Sequence, residues 1–327
     1  MLVHKRYLNE KGKFSIVKFL KKNAGCWLYV LPVIAGILLF TVTPMATSII
    51  YALHDYDPHI PEWLLEMGEK QLTNPGFQNF KAIFTPVSEG GLLEDFLYSL
   101  FVTFRYTIVS LALTILGSYC LALFLNQKTK GIQSFRIIYY LPNLIPGVAG
   151  TLLWMDITAV NGGYLNMILE ALGMQPYTFY NDPKSVLPTL LFTGIFGWGG
   201  ACIMWLAQMQ NVPKEMYESA ELDGANYFQK TFKITVPMTT AMLFYVVVTS
   251  MIGGIQSFGN VYPLYGVAGR EVEFIVVMIY RTAYEDRVAF NGMSIACALS
   301  WVLFVIIAIL TAFIFKTSKW VYYGEEM

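Results

Sequence analysis

The chain has 327 residues, 56% hydrophobic and 13% charged, with a mean hydropathy of +0.51 and a net charge of zero. Soluble domains carry about 25% charged residues, so this composition excludes an ordinary water-soluble fold and leaves lipid as the main solvent. The balanced charge offers no basic excess from which a nucleic-acid partner could be argued.

A bilayer core needs about 20 apolar residues in a helix. Taken in chain order, the uncharged runs predict six spans, at about 27–53, 97–125, 137–157, 186–210, 238–259 and 291–315. A basic segment, 1–26, precedes the first. It is followed by a run about twice the length of a signal-peptide core, with no small-x-small site after it, and so reads as a signal anchor. The connection 54–96 holds eight acids against two lysines and is long enough for a small external cap with short helices. The stretch "FIVVMIY" (274–280) is too short to cross and reads as interfacial or re-entrant. Lys and Arg orient the whole. Fifteen of the 22 lie in 1–26, 126–136, 211–237 and the C-terminal stretch that starts at Lys316, and six in the opposite connections. That asymmetry predicts both termini, and the segment 211–237, on the cytoplasmic side.

Several chemistries find no residues to carry them. No G-x-x-x-x-G-K-[ST] loop, HExxH helix or serine elbow occurs, so no catalytic set is identified. Cys26, Cys120, Cys202 and Cys297 sit in separate apolar runs without a CxxC pair, and His54 and His59 fit no common zinc spacing; no metal site is expected. "GWGG" (197–200) lies in an apolar run, where close helix packing explains it better than phosphate binding. Intramembrane charge is nearly nil, with only Arg105 and the border residue Asp156. A proton- or sodium-coupled carrier usually shows ionisable residues in its spans, so the energy for any uphill movement has to come from another protein.

One polar stretch interrupts the apolar chain: "YESAELDGANYFQKTFKITVP", 217–237. Asn211 and Pro213 suit a helix start, and Glu215 and Glu218 suit its positive end. Ala220 and Gly224, four apart, leave one face without bulk, and Gly224 can end the helix and turn the chain. Phe228, Phe232 and Ile234 are expected to pack the second helix, with Pro237 leading into the fifth span. Read physically, this is either a hairpin lying on the membrane surface or a knob that fits a partner's groove.

The segment resembles the EAA loop of binding-protein-dependent ABC importer permeases: E-A-A, three residues, G, nine residues, I-x-L-P. Here it reads Glu218-Ser219-Ala220, Gly224 and Ile234-Thr235-Val236-Pro237 with every spacing kept. Pro213, Glu215, Tyr217, Asp223 and Ala225 complete the longer form. "NQKTKGIQSFRIIYYLPNLIPG" (126–147), "LAQMQNVPKEMYESAELDGA" (206–225) and "IYRTAYEDRVAFNGMSIACALSWVLF" (279–304) extend the likeness to the carbohydrate-uptake branch, that of the maltose-type first permease. "YGVAGR" (265–270) replaces that branch's T-x-G-G-P, and the 54–96 loop is longer than in a minimal member.

The resemblance implies an all-α type I importer permease of a bacterial plasma membrane. It would pair with a second permease, two cytoplasmic ATPase subunits and an external solute-binding protein that delivers a sugar. ATP and magnesium would be held by the ATPases, and no cofactor by this chain. Glu218, Ala220, Asp223, Gly224, Ile234 and Pro237 would couple to the ATPase. Polar and aromatic residues in the spans are the candidates for the sugar path: Asn143, Trp154, Trp198, Gln256, Asn260 and Arg105, of which Gln256 and Asn260 lie four apart beside "GG" (253–254). Each has a plainer role in helix packing or hydrogen bonding. A permease for another solute (glycerol-phosphate or peptide-like) and a stand-alone secondary carrier are the alternatives.

Overall fold

Proline and glycine decide where the apolar runs become continuous helices and where they break. The computed structural model describes residues 24–56, 72–73, 76–127, 130–285 and 292–322. The basic segment before residue 24, much of the 54–96 loop and the last five residues lie outside that set.

The first apolar run forms α1 (Ala24–Ile37) and α2 (Thr43–Ala52), joined by a π-helical turn at Leu38–Val42. The wide turn has a local cause. Pro44 lacks an N–H, and its ring would clash with the carbonyl four residues back. The Thr43 hydroxyl donates to the Leu38 carbonyl at 2.8 Å, a second bond to the acceptor that the Thr43 N–H already uses in closing the turn. A two-residue antiparallel pairing, β1 (Asp55–Tyr56) with β2 (Leu72–Thr73), and a short α3 (Gln78–Ile83) follow. The cap therefore contains the expected short helix, together with a strand pair that its composition does not announce.

The long axis of the fold is α4 (Leu93–Leu125), whose 33 residues reach about 50 Å at 1.5 Å each. It begins four residues ahead of the predicted span, with Glu94 and Asp95 in its first turn. The third apolar run does not make one straight span. It divides into α5 (Ile132–Tyr140) with a 3-10 turn Leu141–Leu144, then α6 (Gly147–Ile157), bent by 103°. Ile145 is extended (ψ 125°), as the residue before a proline is constrained to be, and Pro146 opens α6. An unpredicted helix, α7 (Tyr164–Ala171), precedes α8 (Val186–Gly194), and α9 (Gly199–Gln210) continues α8 after a 42° bend.

The polar hairpin comprises α10 (Lys214–Leu222) and α11 (Tyr227–Lys230), then a second π turn at Thr231–Thr235. Pro237 stands two residues beyond that turn, the same proline logic as at Pro44. The chain bends by 64° and enters α12 (Thr240–Ile255). Short α13 (Tyr262–Ala268), α14 (Ile275–Tyr284) and the long α15 (Gly292–Lys316) complete the order. Among the described residues, three helical stretches are individually long and apolar enough to cross a membrane, and each of the three bent pairs would add one.

α4 packs along α9 and α12, while α15 packs against α2 and α14. Glycine makes the first crossings close. A Cβ at Gly117 would run into the Trp198 ring, one at Gly199 would lie 2.9 Å from the Tyr139 carbonyl, and one at Gly254 2.6 Å from Thr107 Cγ2. Close packing accounts for Trp198, Gly199 and Gly200 of "GWGG", whereas a Cβ at Gly197 would meet nothing within 4 Å. The pair Gly253–Gly254 sits inside a regular helix rather than loosening one.

Candidate functional site

The hairpin is assembled by caps rather than by a core. α10 ends in the two bonds of a Schellman closure: Gly224 N–H donates to the Glu221 carbonyl at 3.0 Å, and Ala225 N–H to the Ala220 carbonyl at 2.9 Å. Gly224 takes φ +78°, the left-handed region that glycine enters without a Cβ penalty. Asn226 and Gln229 then form a reciprocal capping box, at 2.9 and 2.8 Å, that starts α11. Lys230 Nζ reaches Glu221 Oε1 at 2.6 Å, and the Tyr217 and Thr235 hydroxyls lie 2.9 Å apart, so the two arms are cross-tied.

That local wiring leaves the face expected for coupling open. Glu218, Asp223, Gly224 and Pro237 are exposed, Ala220 and Ile234 are half-buried, and the space where a Gly224 Cβ would stand is empty within 4 Å. The expectation that Phe228 and Phe232 pack the second helix is corrected: they are 69% and 68% exposed, because Thr231 and Thr235 take the inward positions. Leu222, which sequence reasoning passed over, is 91% exposed at the tip. Large apolar side chains standing out of a polar, well-capped hairpin mark a surface that meets something else.

A second feature lies among the apolar helices. A cavity of about 330 Å³ opens between α4, α6, α8 and the segment ahead of α13. Trp154 and Phe196 form one wall with ring centres 4.9 Å apart, and Tyr106 and Tyr180 contribute others. Its polar groups are hydroxyl and amide. Thr151 Oγ1 donates to the Asn260 carbonyl at 3.1 Å, and the Tyr180 hydroxyl meets Thr193 Oγ1 at 2.9 Å. No charged side chain is among its lining residues. Rings that stack on apolar faces, interleaved with neutral hydroxyls and an amide, form a lining that can hold a polyhydroxylated ring. The volume lies at the lower end of small-molecule sites.

Of the six path candidates, two reach this cavity: Trp154 and Asn260. Asn143 faces Gly200 instead, its Nδ2 placed 3.2 Å from a hypothetical Cβ there. Trp198 packs into the notch left by Gly117. Gln256 caps the end of α12 and is exposed, so it does not share a helical face with Asn260. Arg105 lies 3.7 Å from Glu271, with its guanidinium over the Phe101 ring. Sequence reasoning missed Tyr106, Thr151, Tyr180, Thr193 and Phe196. Thr151 carried a usable signal, a hydroxyl one turn after Gly147 in an apolar run. Tyr180 carried none, since it arrives from a segment without periodicity.

Near the start of α4 an ionic chain holds Arg270 and Arg281. Arg270 bonds Asp95 and approaches Glu273 at 3.6 Å, and Arg281 bonds Glu273 and approaches Glu285 at 3.4 Å. The Glu273 side chain is only 7% exposed. Burial pushes its carboxyl above the usual range, while Arg281 and Arg270 oppose that rise. The Tyr262 hydroxyl is pushed up to about 12, chiefly by its hydrogen bond to Glu285. Charge here ties loop to helix and stands apart from the cavity.

No family model matches the chain. Whole-chain likeness is clear. The probable ABC transporter permease protein YesP of Bacillus subtilis (strain 168) is 33% identical over 312 residues, covering 94% of each chain. The arabinooligosaccharides transport system permease protein AraP of the same organism is 28% identical, covering 92% of this chain and 90% of its own. Among solved structures, a chain of a bacterial alginate ABC transporter, crystallised with an alginate pentasaccharide-bound periplasmic protein, superposes with a TM-score of 0.77 at 21% identity. That match covers 93% of this chain and 97% of the other. With such identity over nearly its whole length, the chain belongs to the ABC transporter permeases of the carbohydrate-uptake branch.

Proposed function

We propose that this chain is one permease of an ATP-driven importer for a sugar or oligosaccharide in a bacterial plasma membrane. It crosses six times, each bent pair counting as one span, with both ends and the hairpin in the cytoplasm. It forms half of the path beside a second permease. Two ATPase subunits supply the hydrolysis, and an external binding protein supplies the solute. Glu218, Ala220, Asp223 and Gly224 are the surface the ATPase grips, with the exposed Leu222 as its apolar anchor. The cavity walled by Trp154, Phe196, Tyr106 and Tyr180 receives a glycosyl unit on its way through.

The observation that carries this reading is the hairpin itself: a capped, cross-tied polar element that keeps the E-A-A…G spacing and turns its small-residue face and Leu222 outward. The names of the relatives, sugar permeases among them, support the substrate class. Co-expression with the companion permease and ATPase tests it. The expected result is a complex that hydrolyses ATP when its loaded binding protein is added, and that loses this stimulation in Gly224→Asp while still folding. Transport by the chain alone, or a Gly224→Asp complex with full stimulation, would overturn it.

A further inference from the structure

Beside the hairpin, two spaces of opposite character meet. One is a polar chamber of about 210 Å³ between the end of α4 and the hairpin, lined by Asn126, Gln127, Tyr217, Glu221, Tyr227 and Lys230. The other is a cleft of about 300 Å³ running along α4 to α9 and α12, walled by Ile115, Leu116, Tyr119, Trp205, Val236 and Leu243. Leu123 and Thr231 line both, so chamber and cleft adjoin.

The polar groups of the cleft wall are already committed inside the protein. Tyr119 meets Thr239 at 3.2 Å, Trp205 Nε1 donates to Ser118 at 3.0 Å, and Thr231 donates to the Tyr227 carbonyl at 3.0 Å. What fills the cleft gains nothing from polarity there and must be apolar. The chamber is the reverse. The side-chain amides of Asn126 and Gln127 and the Tyr227 hydroxyl make no hydrogen bond among the described residues, and Lys230 Nζ is ion-paired with Glu221 Oε1 at 2.6 Å on the same wall. A long apolar slot that ends in a small polar chamber with one ammonium–carboxylate pair and unbonded amide groups matches an amphiphile whose tail is apolar and whose head is charged and hydrogen-bonding.

We propose that a glycerophospholipid of the leaflet on the hairpin's side occupies both spaces, an acyl chain in the cleft and its phosphate at Lys230. This rests on the reading that the hairpin lies at a membrane surface. Bound there, the lipid bridges α4 and the π turn Thr231–Thr235, the one connection between hairpin and α12. Its occupancy therefore bears on how hairpin movement reaches the spans.

The test uses the assembled complex in vesicles of phosphatidylethanolamine and phosphatidylglycerol, doped with phosphatidylglycerol carrying a diazirine on its acyl chain. After irradiation, peptides covering 115–123 and 231–243 are expected to be labelled several-fold above the exposed face of α15 (304–313). Unlabelled phosphatidylglycerol should compete. Cys120→Trp, which fills the cleft, should remove the excess, and Lys230→Gln should reduce it for the phospholipid but not for a diazirine fatty alcohol. Equal labelling of the two faces, labelling indifferent to both variants, or crosslinks from the cleft to the second permease in place of lipid would overturn the proposal. ATPase stimulation in the same vesicles reports on the importer reading separately, and it can persist when the lipid site fails.

Discussion

Trp154 and Trp198 show how differently one residue type can be used in one fold. Trp198 fills the space that Gly117 leaves on α4, so its ring is part of the helix contact. Trp154 pairs with Phe196 and presents to the cavity. Truncation should separate the two. Trp154→Ala removes a stacking surface worth roughly 0.5–1.5 kcal/mol beyond its area. It is expected to lower sugar transport at saturating binding protein several-fold with little change in thermal midpoint, and Trp154→Phe should recover most of the rate. Trp198→Ala opens a void in a packed crossing, at a cost of about 3–5 kcal/mol for a fully buried tryptophan and less for this half-buried one. It should therefore lower the midpoint first. Equal loss of stability in both variants would show that Trp154 is also packing. In the sequence the two looked alike, each an aromatic in an apolar run, because nothing local records which neighbour is a glycine on another helix.

Elements follow the same lesson with backbone in place of side chains. The uncharged runs located the helical stretches to within a few residues, since lipid demands length and apolarity and both can be counted. Breaks were harder to see. Pro146 and its extended neighbour Ile145 split a run that hydropathy alone reads as continuous, and Pro44 and Pro237 each follow a π turn that no composition announces. The glycines of α12 make the point testable. Gly253 meets nothing within 4 Å, whereas a Cβ on Gly254 would lie 2.6 Å from Thr107 Cγ2 and 3.0 Å from its Oγ1. Gly253→Ala should be neutral or stabilising by up to about 1 kcal/mol, from reduced backbone freedom. Gly254→Ala should cost about 1–3 kcal/mol through overpacking of α12 on α4. Thermal denaturation of the detergent-solubilised protein reads both, and like-signed shifts would contradict the close crossing. Neighbouring identical residues are indistinguishable in the sequence, and only the partner helix makes them different.

For the whole molecule, the decisive quantity is which end of α4 faces which compartment. The hairpin and its chamber gather at the Leu125 end, where Arg136 donates to the Leu125 carbonyl at 2.7 Å. The ionic chain of Asp95, Arg270, Glu273 and Arg281 gathers at the other, about 50 Å away along 33 residues. The proposed orientation comes from Lys and Arg in the connections, a signal that acts during insertion and leaves no contact in the folded chain. That signal can be counted in the sequence, whereas the cavity, built from distant segments, leaves no such local trace. Cysteine accessibility tests that orientation directly. In a background where native cysteines are serine, Glu89→Cys lies in the exposed turn ahead of α4 and Glu218→Cys on the open face of α10. A membrane-impermeant maleimide added to intact cells should label Glu89→Cys at once, and Glu218→Cys only after permeabilisation. In the chain expressed without the ATPase subunits, which would cover Glu218, both sites are exposed, so burial cannot account for a difference between them. The reverse order would invert the protein in the membrane and remove the hairpin from the reach of any cytoplasmic ATPase. Labelling of both from outside would mean that α4 does not separate the two compartments, and the six-span reading would fall with it.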